Sequence, residues 1–337
     1  MKRTFTVFLA VCMLLLTPVG CGSRPDPEPA SVGEDTAPAG NAPSIEYDPK
    51  TATVRVTGAD DYAALSFPDE IKDARVVEVM DDDFTLSAYL VKLRVRGFDE
   101  QTELSGLIDR TAKSLRFIRQ YLRENAGAAY PSDLAALPVD VKIDSTYEYR
   151  TDKDRITLRL DEVGAHREFL YLLALMDCDA VGWEHLGYAW YVGTCINPYT
   201  EVINEWPIVP ELPYYTQCLA GGVDPDNMTA ADFRTVYDAC ARVCFDKGLT
   251  GWGSYCESRP VTDEPDFSRT INKEPGDTLL AAFPAASFLA WLDEAHGFEQ
   301  LSMFCFGQKS FEEAFGTSFN VAYKTWRMWI MDNYPAE

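Results

Sequence analysis

Apolar and polar positions along this chain alternate in its first half and later recur with helical spacing. TATVRVTG (51–58) and ARVVEVM (74–80) step between faces every second residue, which predicts two strands. YLVKLRVRG (89–97) predicts a third, VDVKID (139–144) and RITLRL (155–160) predict two more, and YEYR (147–150) reads as extended between them. From about Glu100 to Asn125 the period changes. Leu104, Leu107, Ile108, Ala112, Leu115, Ile118 and Leu122 form the stripe of an amphipathic helix. AHREFLYLLALM (165–176) carries an apolar stripe of Phe169, Leu170, Leu172, Leu173 and Met176, with a few polar groups set on it. In WEHLGYAWY (183–191), Gly187 and Ala189 are small enough for a close helix approach beside Trp183, Trp190 and Tyr191. Further helices are predicted over 229–248, with Thr229 as N-cap and Gly248 beyond the end, and over 285–301 and 310–330.

The N-terminus departs from this pattern. Lys2 and Arg3 precede an apolar run, Phe5 to Leu16, of about a dozen residues, which is the form of an export signal and too short for a permanent span. The run ends at Thr17-Pro18-Val19-Gly20-Cys21, and a small residue before Cys21 resembles the bacterial lipobox. That resemblance implies that 1–21 is a lipoprotein signal peptide and that the Cys21 thiol carries the lipid anchor. Pro18 stands where the lipobox usually has Leu. Residues 22–43 are rich in Pro, Gly, Ala and acids and read as a disordered tether. At ~3 Å per residue that tether reaches up to ~60 Å. The expected location is extracytoplasmic, anchored by lipid at the cell surface or the periplasmic face of a bacterial membrane.

Charge and cysteine content narrow the partners. A net charge of −23 over 337 residues argues against nucleic acid, whose phosphates need a basic surface. Of nine cysteines, all but Cys12 and Cys21 lie between Cys178 and Cys305, which suggests disulfides in an exported chain. That leaves the odd number of seven, so at most three bridges form. Cys240 and Cys244, four apart on a predicted helix, are placed to tie it to two loops. Residues 194–276 hold five of the seven and read as a Cys-rich insertion.

The segments 165–176 and 183–191 together resemble the gluzincin metallopeptidases of the thermolysin and aminopeptidase type. In that family the first site helix carries HExxH, and a later helix often reads W-L-x-E-G-x-A-x-Y, whose Glu is the third zinc ligand. Trp183, Gly187, Ala189 and Tyr191 match the second pattern, and Leu186 stands in the place of the ligand Glu. In the first helix two registers exist. With His166 as first ligand, Arg167 replaces the catalytic Glu and Leu170 the second His; with Glu168 as the catalytic Glu, Arg167 and Tyr171 replace both His. Arg and Leu offer no lone pair to zinc. The resemblance extends over about 89–192 and 276–334, where Phe288, Leu292, Phe311, Phe315, Phe319, Tyr323 and Trp326 match packing positions of the closing helices. Gluzincin domains also share the order of strand, long helix, small sheet and first site helix.

The resemblance implies an α+β, zincin-like domain over 89–334, preceded by a β-rich segment (44–88) that is either a small module or an extension of the main sheet. It implies a metallopeptidase-like but catalytically inactive protein that needs no cofactor. Such a protein would bind an extracellular peptide, protein or cell-wall ligand through Arg167, Glu168, Tyr171, Tyr188 and Tyr191. Two further readings stay open. One is an active zinc peptidase with a rearranged site, using Glu168 as catalytic residue and His166, His185 and Glu184 on the metal. The other is a structural envelope protein whose old cleft is filled by Tyr171, Leu186 and their neighbours. Against the zinc reading, His166 and Glu168 lie about 200° apart on a helix, and His185 is about 100° from the family's ligand position.

Overall fold

Seven strands form one sheet in the order β1-β2-β3-β4-β5-β7-β6: β1 (Ser44–Asp48), β2 (Thr53–Thr57), β3 (Val76–Met80), β4 (Thr85–Tyr89), β5 (Val139–Ile143), β6 (Glu148–Asp152) and β7 (Arg155–Leu160). The computed structural model describes residues 44–58, 74–80, 84–89, 102–143, 148–160, 167–177, 181–200, 228–247 and 275–334. The sheet is mixed. β2–β3, β4–β5 and β5–β7 are parallel, while β1–β2, β3–β4 and β6–β7 are antiparallel. Because β4 pairs directly with β5, the strands of 44–89 extend the main sheet, and the boundary expected at residue 88 falls inside β4. The segments expected to form a signal peptide (1–21, with Cys21) and a tether (22–43) lie outside the described residues, as does most of the strand expected over 89–97. Among the described residues no helix is long and apolar enough to cross a membrane.

Alternation gives the sheet two different faces. Val54, Val77, Ala88, Val141 and Leu158 share one row of the register and are nearly inaccessible to solvent. The next row, Arg55, Glu78, Ser87, Asp140, Thr157 and Arg150, is polar and faces the other way. Helices cover the apolar face. The long α1 (Thr102–Asn125) contributes Leu107, Ile108, Ala112, Leu115, Ile118 and Leu122, all buried as the stripe predicted. After the short α2 (Ser132–Ala135) the chain enters β5; beyond β7 come α3 (Arg167–Met176) and α4 (Trp183–Trp190). α3 packs on β6 and β7, with the Thr151 hydroxyl donating to the Ala174 carbonyl at 3.0 Å.

α4 runs on into a π-helical turn, Tyr191–Ile196. α5 (Ala230–Lys247) starts as expected, with the Thr229 amide bonded to the Asp232 carboxylate at 2.7 Å and the Asp232 amide returning to the Thr229 hydroxyl at 3.4 Å. The two closing helices predicted from sequence are four. The first prediction resolves into α6 (Pro275–His296) and α7 (Phe298–Cys305), separated by Gly297 at φ +88°, a conformation that favours glycine. The second becomes α8 (Phe311–Phe315) and α9 (Phe319–Asn333), divided by Gly316 at φ +66°. Their aromatic side chains form one cluster around the buried Phe288 and Trp326 rings, 5.2 Å apart.

Candidate functional site

α3 and α4 are held against the rest of the molecule by small residues at their contacts. A Cβ on Gly187 would lie 2.9 Å from the Ala285 backbone of α6, so α4 and α6 approach as closely as glycine permits. Gly193 in the π-helical turn similarly faces the Cβ of Glu168, with 3.2 Å available. These contacts draw α1, α3, α4 and α6 around an interior that contains most of the candidate residues.

Arg167 and Glu168 are brought together but are not offered to solvent, being 1% and 6% exposed. The Glu168 carboxylate accepts the Ser114 hydroxyl at 2.6 Å and the Arg167 Nε–H at 3.2 Å, both on the same oxygen. The Asn197 side-chain amide, just past the π-helical turn, donates to the Ser114 hydroxyl at 3.4 Å. The buried Glu168 carboxylate thus has a hydroxyl and a guanidinium as donors, the kind of partners that a buried ion needs. Tyr171 is fully buried and its hydroxyl accepts the Arg119 Nε–H at 2.6 Å. The Arg119 guanidinium also donates to the Leu137 carbonyl at 3.1 Å and lies over the Phe84 and Tyr171 rings. Burial pushes the Tyr171 phenol above its usual range against the opposing pull of Arg119.

Tyr188 is fully buried and its hydroxyl pairs with the Ser302 hydroxyl of α7 at 2.9 Å; burial raises its pKa well above the normal phenol value. Tyr191 donates to the Asp293 carboxylate of α6 at 2.7 Å. Burial raises the Asp293 pKa, and the Tyr191 bond partly opposes that rise. Leu186, at the position where the resemblance puts the third ligand, is 3% exposed.

The metal alternative does not gather its donors among the described residues. His166 lies outside them. His185 is turned back onto its own helix start, where its Nδ1 accepts the Gly182 amide proton at 2.9 Å. That is the role a Glu or Gln plays at the third position of a capping box. The Glu184 carboxylate stands 3.6 Å from the same nitrogen, yet the backbone proton occupies the lone pair, so the imidazole is the neutral tautomer with its proton on Nε2. Burial lowers the His185 pKa to about 4. Among the described residues no three His, Cys, Asp or Glu side chains form a metal-ligand group. The donor set around Glu168, namely a guanidinium, a hydroxyl and an amide nitrogen, does not suit zinc.

Ser114, Arg119 and Asn197 join this site without having been singled out by the sequence pattern. Arg119 had a signal, since it falls within the buried stripe of Leu115, Ile118 and Leu122, where a charge requires a partner. Of the body cysteines, Cys195 and Cys305 carry free thiols, so neither is half of an expected disulfide. Cys178, Cys218, Cys256 and the side chain of Cys244 lie outside the described residues. Comparison of the chain with protein-family models, with curated proteins and with solved structures returned no match in any of the three.

Proposed function

We propose that this chain is a lipid-anchored, extracytoplasmic protein with a gluzincin-like core that binds an extracellular peptide, protein or cell-wall ligand without hydrolysing it. The order α1, β5–β7, α3, α4 is compatible with the order of elements on which the resemblance rests, although the opening strand expected over 89–97 lies mostly outside the described residues. The observation that carries the non-catalytic reading is the Glu168 carboxylate, bonded to the Ser114 hydroxyl and to the Arg167 guanidinium in a solvent-excluded interior. A cation placed about 4 Å from that guanidinium would be repelled by roughly 4 kcal/mol per unit charge at an effective dielectric of ~20. The same carboxylate is buried, with its Oε1 already engaged by two donors, which disfavours a general-base role. Because Arg167, Glu168, Tyr171 and Tyr188 are buried, ligand recognition in this reading belongs to the exterior and not to the space between α3 and α4.

Elemental analysis of the purified chain, prepared without chelator and then challenged with zinc, tests the proposal. The expected result is metal at background and no cleavage of a peptide library. Stoichiometric zinc that disappears when His166→Ala and His185→Ala are combined would overturn it.

A further inference from the structure

The polar face of the sheet, opposite the helices, contains a groove of about 250 Å³ across β4, β5, β7 and β6. At ~30 Å³ each that is room for about eight waters, a small-molecule volume. Two rows of the register form it. Ser87, Asp140, Thr157 and Arg150 make one row; Tyr89, Lys142, Arg159 and Glu148 make the next. Thr157 and Asp140, 9% and 4% exposed, form the floor between longer side chains.

Lys142 and Arg159 stand directly opposite each other on neighbouring parallel strands. Like charges in that position repel, and Glu148, on the far side of Arg159, offsets that repulsion only in part. Arg159 meets Glu148 at 3.3 Å on its outer side, and the Lys142 ammonium lies over the Tyr89 ring at 5.2 Å, with no carboxylate within ion-pair distance among the described residues. Asp140 also has unused capacity. Its Oδ2 accepts Arg155 at 3.3 Å and the Tyr89 hydroxyl at 3.4 Å, both long bonds, and a carboxylate offers about four acceptor sites.

We propose that this groove binds an acidic saccharide, its carboxylate received by Lys142 and Arg159 and its hydroxyls donating to Asp140. A monoanion suits the groove better than a phosphate dianion, because Asp140, Glu148 and Asp152 also line it. Guanidinium and carboxylate groups alternating at the wall match a ligand that carries one anion and several hydroxyls. The proposal names a ligand class for the non-catalytic binding reading and rests on it. Metal content and ligand titration are separate measurements, so either can fail alone.

The test is calorimetric titration of the full chain with D-glucuronate and a glucuronate-containing tetrasaccharide, beside D-glucose and inorganic phosphate. Saturable binding of the two acidic sugars is expected, with glucose silent and phosphate at least tenfold weaker. Lys142→Gln combined with Arg159→Gln should weaken glucuronate binding at least tenfold, while the charge-conserving Lys142→Arg combined with Arg159→Lys retains it. Unchanged thermal unfolding of both pairs verifies the fold. No saturable binding of either acidic sugar, phosphate binding as strongly as glucuronate, or equal binding by the Gln pair would each overturn the proposal.

Discussion

Lowering the pH should destabilise this protein through His185, by an amount that can be worked from its surroundings. The imidazole is 14% exposed and accepts the Gly182 amide proton on Nδ1. Since Nε2 already carries a proton, the second must go to Nδ1, which turns that bond into two donors facing each other. Burial and this lost bond act in the same direction, and the folded pKa is about 4 against 6.5 for the free side chain. Above pH 6.5 both states are neutral and the group contributes nothing. Below it the unfolded chain takes up a proton that the folded chain refuses, so stability falls with pH until the folded group titrates at about 4. At 1.36 kcal/mol per unit, the loss is about 2 kcal/mol by pH 5 and about 3 kcal/mol by pH 4. Asp238 and Asp293 act oppositely, because burial raises their pKa and acidification relieves that cost. The difference between the wild type and His185→Gln isolates the histidine, since Gln can still accept the amide proton of residue 182. Urea unfolding of both proteins from pH 7.5 to pH 4 should show the wild type losing about 3 kcal/mol more than the variant. Parallel curves would refute the reasoning, because they would mean that His185 takes up its proton equally in both states.

Three further outcomes check other parts of the structure. Ser114→Ala and Glu168→Gln, measured singly and together by chemical denaturation, should show a coupling of about 1–3 kcal/mol; additive effects would mean that their 2.6 Å bond does not stabilise the fold. Gly187→Ala should cost about 1–3 kcal/mol, because the new methyl meets the Ala285 backbone at 2.9 Å, and an unchanged midpoint would show that α4 and α6 separate freely. Cys305 is fully buried, with its thiol pKa raised well above normal by that burial, so native protein at pH 8 should leave it unalkylated by iodoacetamide. Peptide mass spectrometry should find it modified only after denaturation.

Local pattern carried much of the fold, and non-local pairing did not. The α1 stripe was legible because its apolar residues recur with helical spacing, and Leu107, Ile108, Ala112, Leu115, Ile118 and Leu122 are all buried. The cap at Thr229 was equally local. Continuity of β4 with β5 was not legible, since 49 residues separate the two strands and their register follows from packing across the whole apolar face. The break at Gly297 was hidden because 285–301 keeps its apolar spacing on both sides, although a glycine directly after His296 is the usual signature of a helix end. In the candidate site, the adjacency of Arg167 and Glu168 was visible in sequence. Their closure by Ser114 and Asn197 was not, because those residues lie 54 and 29 positions away from Glu168 along the chain.

The interior and the sheet's outer face handle charge in opposite ways, and that contrast favours recognition at the outer face. Inside, three ions have close partners: Glu168 has a hydroxyl at 2.6 Å, Arg119 a phenol at 2.6 Å, and Asp238 the Arg234 guanidinium at 2.9 Å. Removing a partner there leaves a buried charge to be solvated, which costs several kcal/mol and makes the arrangement rigid. On the outer face the contacts of Asp140 lengthen to 3.3 and 3.4 Å, and Lys142 faces Arg159 in register. Water screens that repulsion, so the fold tolerates it at small cost. A ligand carboxylate that displaces this water gains two cations already held in place by neighbouring strands, without reorganising the backbone.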